Sequence, residues 1–120
     1  MRTIAVDFDG VVHAYSQGWK DGTIYDVLIP GAVTALTALM VDNPVFIFTA
    51  REVTSVCEWL EKETPFSTTD EVPEGGFWNE RGTLLVTNRK LPAVAYVDDR
   101  AIRFRNWAQA TAELKLRAGI

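Results

Sequence analysis

The chain is short of the residues that most covalent and metal frameworks use. It has one cysteine, Cys57, and one histidine, His13. A disulfide framework needs paired cysteines, and a zinc site needs a Cys/His cluster, so both are excluded. It has no surplus of positive charge. Twelve Lys and Arg face sixteen Asp and Glu, a net charge of −4. That argues against a general polyanion binder, though a local basic patch remains open. It has no long apolar run: none approaches the ~18 residues of a membrane span, and the first residues lack the apolar stretch of a signal peptide. Internal repeats and low-complexity tracts are also missing. The expectation is a cytoplasmic protein with no membrane partner.

What is present suits one globular domain over residues 1–120. Of its residues, 48% are apolar and 23% charged, enough for a core and too ordered a composition for disorder. Four short apolar runs recur: Ile4-Ala5-Val6, Val45 to Phe48, Leu84-Leu85-Val86 and Ala93 to Val97. Each is nearly continuous and ends in polar residues, as strands buried on both faces of a parallel sheet do. Helical patterns lie between them. Pro30-Gly31 opens an Ala/Leu-rich stretch through Met40. Val53, Val56, Cys57 and Leu60 follow at i, i+3, i+4, i+7, and Thr64-Pro65 ends that helix. Asn106 is a helix N-cap, Trp107, Ala110, Thr111 and Leu114 form a face, and Gly119 stops the last turn. Strands alternating with helices imply an α/β fold with an open parallel sheet in three layers, Rossmann-like, with helices on both faces.

Two stretches break the alternation. Residues 11–29 hold Gly18, Gly22 and several aromatics, and read as a flap or hairpin after the first strand. Residues 65–82 are rich in Pro, Gly and acids, and read as a long loop. Loops of that length in small domains are often functional.

Ligands of open parallel sheets bind at the carboxyl ends of the strands. The polar residues ending the four runs are Asp7, Asp9 and Gly10; Thr49 and Arg51; Thr87, Asn88, Arg89 and Lys90; then Asp98, Asp99 and Arg100. A parallel sheet gathers all four sets on one edge. Two carboxylates ~4 Å apart repel by roughly 4 kcal/mol at an effective dielectric of 20, so four need a cation. Oxygen-only ligands select a hard ion, most simply Mg²⁺. Metal, hydroxyl and Lys together suit a phosphoryl group. One carboxylate can attack phosphorus and a second can handle protons. The i, i+2 spacing puts Asp7 and Asp9 on one side of an extended chain, with Phe8 on the other.

With these residues in place, the chain resembles the haloacid dehalogenase (HAD) superfamily of phosphohydrolases. Its motifs are matched in order by Asp7-Phe8-Asp9-Gly10-Val11, by Thr49 in FTAR, by Lys90 in TNRK and by Asp98-Asp99 in YVDDR. They span residues 7–99, and the likeness is to the small, capless members. The resemblance implies a HAD-like fold with no full cap domain, the short flap serving as lid. It implies a Mg²⁺-dependent phosphomonoesterase with an aspartyl-phosphate intermediate. Asp7 is then nucleophile and Mg²⁺ ligand, and Asp9 the acid–base that gives its backbone carbonyl to the metal. Thr49 holds the phosphoryl group. Lys90 pairs with it, with Arg89 as the alternative. Asp98 binds Mg²⁺ directly, and Asp99 directly or through water. Substrates left open are a phosphorylated small molecule, a nucleotide or a nucleic-acid phosphate end; oligomeric state is not read.

Two other functions fit the same residues. A phospho-accepting receiver also gathers acids, Thr and Lys on an α/β sheet, but in a different chain order. A phosphate-binding protein without turnover would tend to lose one of Asp7 and Asp9. Elsewhere the plain readings lead. Arg51 and Arg100 are expected as structural ion-pair partners, His13 as a satisfied or solvent-facing ring, and Cys57 as core. Trp59, Trp78 and Trp107 are expected to pack or cover edges, with the 76–80 loop a candidate partner contact. Trp19 and Lys20 are candidate substrate contacts in the flap. Arg81, Arg89, Lys90, Arg100, Arg103 and Arg105 either flank the cleft or form a solvated face.

Overall fold

The computed structural model describes residues 2–119. Five strands, β1 (Ile4–Asp7), β2 (Val45–Phe48), β3 (Ser67–Thr69), β4 (Thr83–Thr87) and β5 (Ala95–Val97), form one sheet in the order β3-β4-β2-β1-β5. Every pair is parallel. Among the described residues three helices accompany them: α1 (Ala32–Asp42), α2 (Val53–Glu63) and α3 (Trp107–Ala118). Among the described residues no helix is long and apolar enough to cross a membrane.

The central strands are apolar runs because both of their faces are covered. Val6, Val45, Ile47, Leu84 and Val86 point to one face and pack with Leu36 and Met40 of α1 and Val56 and Leu60 of α2. Ala5, Phe46 and Leu85 point to the other and meet Trp78 and Leu91. Helices on both faces are expected from the sequence, yet α1 and α2 share the first face and loops cover the second. Chain direction accounts for this. Right-handed crossovers moving one way along a sheet lie on one face, and those moving back lie on the other. The connections β1 to β2 and β2 to β3 run outward and carry α1 and α2. The connections β3 to β4 and β4 to β5 run back, and residues 70–82 and 88–94 are loops.

Trp78 is therefore a core residue, 2% exposed, and not an exposed partner contact. Thr3 Oγ1 donates to its carbonyl at 2.7 Å, pinning the loop to the start of β1. Residues 65–82 also contain β3, a strand the sequence does not signal. Ser67, Thr68 and Thr69 pair with Thr83, Leu84 and Leu85 at the sheet edge. Three polar residues at an edge carry no apolar period, and only the pairing makes them a strand. At the other edge β5 spans Ala95–Val97 alone, with Ala95 and Val97 exposed, so the fourth run is not buried on both faces.

The helix signals hold at their ends. Asn106 Oδ1 accepts from Gln109 N at 2.9 Å, and Gly119 takes the left-handed conformation with φ 67°. The expected face of α3 does not pack: Ala110 is its one buried residue, and Trp107 is 72% exposed. Cys57 and Trp59 are partly buried against the first-face core.

Candidate active site

The carboxyl ends of β1, β2 and β5 open on one cleft of about 210 Å³, lined by Asp7, Asp9, Tyr15, Trp19, Thr49, Ala50, Asp98 and Arg100. The β1–β2 connection runs one way along the sheet from β1 and the β4–β5 connection runs the other way to reach β5, and such a switch point between β1 and β5 is where a parallel sheet leaves room for a ligand. Asp7 is the last residue of β1, and Phe8, fully buried, anchors the turn that follows. Val11, Val12 and His13 all donate backbone N–H groups to the Phe8 carbonyl, at 3.3, 2.9 and 3.0 Å. That knot turns the chain sharply at Gly10, whose φ is 84°. A Cβ there would fall 2.1 Å from Asp99 Oδ2. Gly10 is thus required twice, by its left-handed backbone and by the close approach of Asp99.

Asp7, Asp98 and Asp99 each bring a carboxylate oxygen to within 4.8 Å of the others. Burial pushes the Asp7 carboxyl up to about 6, and the charges of Asp98, Asp99 and Asp9 push the same way; a hydrogen bond from the Phe8 backbone opposes them. Three oxygen donors with no nitrogen or sulfur fit a hard divalent cation. The elevated Asp7 carboxyl shows the strain such an ion would relieve. Asp98 Oδ1 also accepts from Arg100 N at 2.6 Å, which shapes the turn after β5. Arg117 Nη1 of α3 donates to the Arg100 carbonyl at 2.7 Å and steadies that turn from behind.

Asp9 has different company. Its carboxylate accepts from His13 Nδ1 at 2.8 Å and from Arg51 Nε at 2.8 and 3.1 Å. Its side chain is thus outside the acid trio. Arg51 is 3% exposed, and its charge is met by Asp9, by the Gly22 carbonyl at 2.7 Å from Nη1, and by the faces of Trp19 and Tyr15 at 4.7 and 5.7 Å. Nη2 is buried with no partner among the described residues, a donor that an anionic group could satisfy.

Thr49 closes β2 and is 3% exposed. Its N–H donates to the Thr87 carbonyl at 3.0 Å, and its Oγ1 accepts from Arg51 N at 3.1 Å. The hydroxyl proton is left free to donate into the cleft. Asn88, at the end of β4, clamps this turn: Nδ2 donates to the carbonyls of Thr49 and Arg51 at 2.7 and 2.8 Å.

Asp7, Asp9, Thr49, Asp98 and Asp99 therefore come together. Lys90 does not. Its ammonium lies over the Tyr96 ring at 5.3 Å, outside the cleft lining. Arg89 reaches toward Gly76 on the 70–82 loop. Both sit on the 88–94 connection, which crosses the second face and carries them away from the edge. The basic residue that lines the cleft is Arg100, with Arg51 behind the flap aromatics. Sequence reasoning treats Arg51, Arg100 and His13 as structural and gives Asn88 no role. Arg51 is the ion-pair partner and His13 the satisfied ring that the sequence suggests, whereas Arg100 lines the cleft instead of pairing with an acid among the described residues, and Asn88, one after the last residue of β4, is the signal that sequence reasoning passes over.

The 11–29 segment is a flap held at its base. Ala14 N donates to Val27 O and Ile29 N to Val12 O, at 2.9 and 2.8 Å, without forming a named strand. Trp19 and Tyr15 bring it over the acids, and Tyr15 does so with φ 57°, a costly conformation for a non-glycine residue.

Comparison with protein-family models, curated proteins and solved structures returns no match to this chain.

Proposed function

We propose that the protein is a phosphomonoesterase of HAD type that works with Mg²⁺ and an aspartyl-phosphate intermediate. The observation that carries this reading is the convergence of the Asp7, Asp98 and Asp99 carboxylates at a cleft that Asp7, Asp98, Thr49 and Asp9 line. Asp7, Asp98 and Asp99 would hold the cation, which neutralises their charge and that of the phosphoryl oxygens when bound. Asp7 attacks phosphorus, and the P–O bond to the leaving group breaks. Asp9 gives the leaving oxygen its proton. A water then attacks the aspartyl-phosphate and loses a proton to Asp9, releasing inorganic phosphate and restoring Asp7. Thr49 Oγ1 donates to a phosphoryl oxygen, and Arg100 supplies the positive charge that the sequence motif assigns to Lys90.

The test is a panel of sugar phosphates, nucleotides and phosphate-ended oligonucleotides with Mg²⁺, read by released phosphate. Turnover of at least one class supports the reading. No release from folded protein across metals and pH rejects it.

A second reading is a phospho-accepting protein with little turnover. It is favoured by the engagement of Asp9 with both His13 and Arg51, which would slow water activation. A small phosphodonor would then leave a stable phosphoryl group on Asp7, seen as an 80 Da mass increase without phosphate release.

A further inference from the structure

His13 is wholly buried. A buried imidazole has two nitrogens to satisfy. The Asp26 backbone N–H donates to Nε2 at 3.0 Å. A ring nitrogen that accepts an N–H carries no proton, so the neutral ring keeps its proton on Nδ1. Nδ1 lies 2.8 Å from Asp9 Oδ1 and donates to it. Phe8 stacks on the ring at 5.5 Å and 15°, and Trp59 and Tyr25 meet it edge-on at 5.5 and 5.4 Å, so it cannot turn freely.

Asp26 belongs to the flap. Its carboxylate accepts from Ser16 N and Oγ at 2.9 and 2.5 Å and from Val27 N at 2.9 Å, joining the two sides of the flap base. A second arm runs from the same flap to Asp9: Arg51 binds Gly22 O through Nη1 and Asp9 through Nε. Both oxygens of Asp9 are thus placed by groups whose far ends hold flap residues. A carboxylate has about four acceptor sites. Three donor contacts reach Asp9 from His13 and Arg51, which leaves about one site for the cleft it lines. The trio of Asp7, Asp98 and Asp99 has no such tie, since it is drawn from the ends of β1 and β5.

We infer that His13 is a positioning residue for Asp9: it passes the seating of the rest of the 11–29 flap to that carboxylate and fixes the direction in which the free oxygen site points. The inference rests on the reading of Asp9 as the acid–base group. Orientation is the contribution, because a carboxyl group free to rotate would aim its remaining oxygen site, which carries the proton when Asp9 acts as the acid, along the leaving bond only part of the time.

The experiment has an arm that needs no activity. With one histidine in the chain, a long-range ¹⁵N–¹H correlation at neutral pH reports its tautomer without assignment. The proton on Nδ1 is the expected result, and a proton on Nε2 overturns the clamp. The kinetic arm compares His13→Phe, which fills the space but bonds to neither partner, with His13→Asn, whose amide N–H falls near Nδ1. With an alkyl phosphate, whose oxygen must be protonated to leave, kcat/KM of His13→Phe falls about 10- to 100-fold. With p-nitrophenyl phosphate, whose anion leaves unaided, it falls less than about 5-fold. His13→Asn recovers at least about 5-fold over His13→Phe on the alkyl ester, and the Mg²⁺ concentration for half-maximal rate stays within about 2-fold. Equal losses on both esters, or an Asn variant no better than Phe, overturn the inference. A chain that hydrolyses nothing yet keeps the proton on Nδ1 rejects the phosphatase reading and supports the clamp. A working enzyme with the proton on Nε2 does the reverse.

Discussion

At the ends of β1 and β5, Asp7, Asp98 and Asp99 crowd one another, while two residues along the chain Asp9 receives a histidine and an arginine. The two regions share one strand end and have opposite electrostatics. In the first, burial and then like charges push the Asp7 carboxyl up to about 6. In the second, the acid is satisfied by donors from its own chain. The contrast supports the proposed division of work: the region that lacks compensation is where the proposal puts a cation and a phosphoryl group, and the compensated one is where it needs a group held still.

The largest effect is expected at Asp7. Asp7→Asn would remove the proposed nucleophile and should lower phosphate release by at least about 10³-fold. The same change should raise the stability of the metal-free fold by about 1–2 kcal/mol, after discounting for solvent at a half-buried site. Denaturant titration in chelator measures the second effect, and a destabilised Asn variant would break the contrast between the two regions.

Gly10 is the hinge between the regions. Gly10→Ala places a Cβ on Asp99 and forces φ 84° on a residue that resists it. Mg²⁺-dependent rate should fall about 10- to 100-fold, and stability by about 1–3 kcal/mol. Calorimetric Mg²⁺ binding to the variant checks the first cause apart from the second.

Next come the cations. Arg100→Ala should lower kcat/KM about 10-fold, and Lys90→Ala less than about 3-fold, because Arg100 lines the cleft and Lys90 lies over Tyr96. The reverse order would mean that the 88–94 connection moves Lys90 into the site on substrate binding.

The smallest effect is a pH dependence. Asp7 has a folded-state carboxyl raised above its ordinary 3.8, so its neutral form is the one the fold favours. That contribution is complete below about pH 4 and is lost as pH rises through about 6. The stability advantage of Asp7→Asn should therefore be seen at pH 7 in chelator and vanish near pH 4. Mg²⁺ at pH 7 should erase or invert it. Asp26, lowered to about 2 by its Ser16 and Val27 hydrogen bonds, runs the other way and loses its contribution as pH falls toward 2.

How much of this was legible in the sequence follows from where each signal is stored. The runs that became β1, β2 and β4 declared themselves because burial on both faces demands continuous apolar residues. Asp7, Thr49 and Asp98 were legible because a parallel sheet delivers all its strand ends to one edge. β3 was hidden, since Ser67-Thr68-Thr69 is polar and owes its strand to β4. Lys90 was misplaced because a residue's distance from a strand end does not tell which face its connection crosses. The clamp on Asp9 was illegible for a similar reason. His13 is adjacent in sequence, but Asp26 and Gly22 come to it through a flap whose closure no local pattern encodes.

The central claim is tested most directly by phosphate release from a phosphomonoester, with wild type and Asp7→Asn compared side by side in Mg²⁺ and in chelator. The account predicts release by the wild type in Mg²⁺, its loss on chelation, and none from the folded Asn variant. Equal release by both proteins, or release that ignores chelation, would contradict it.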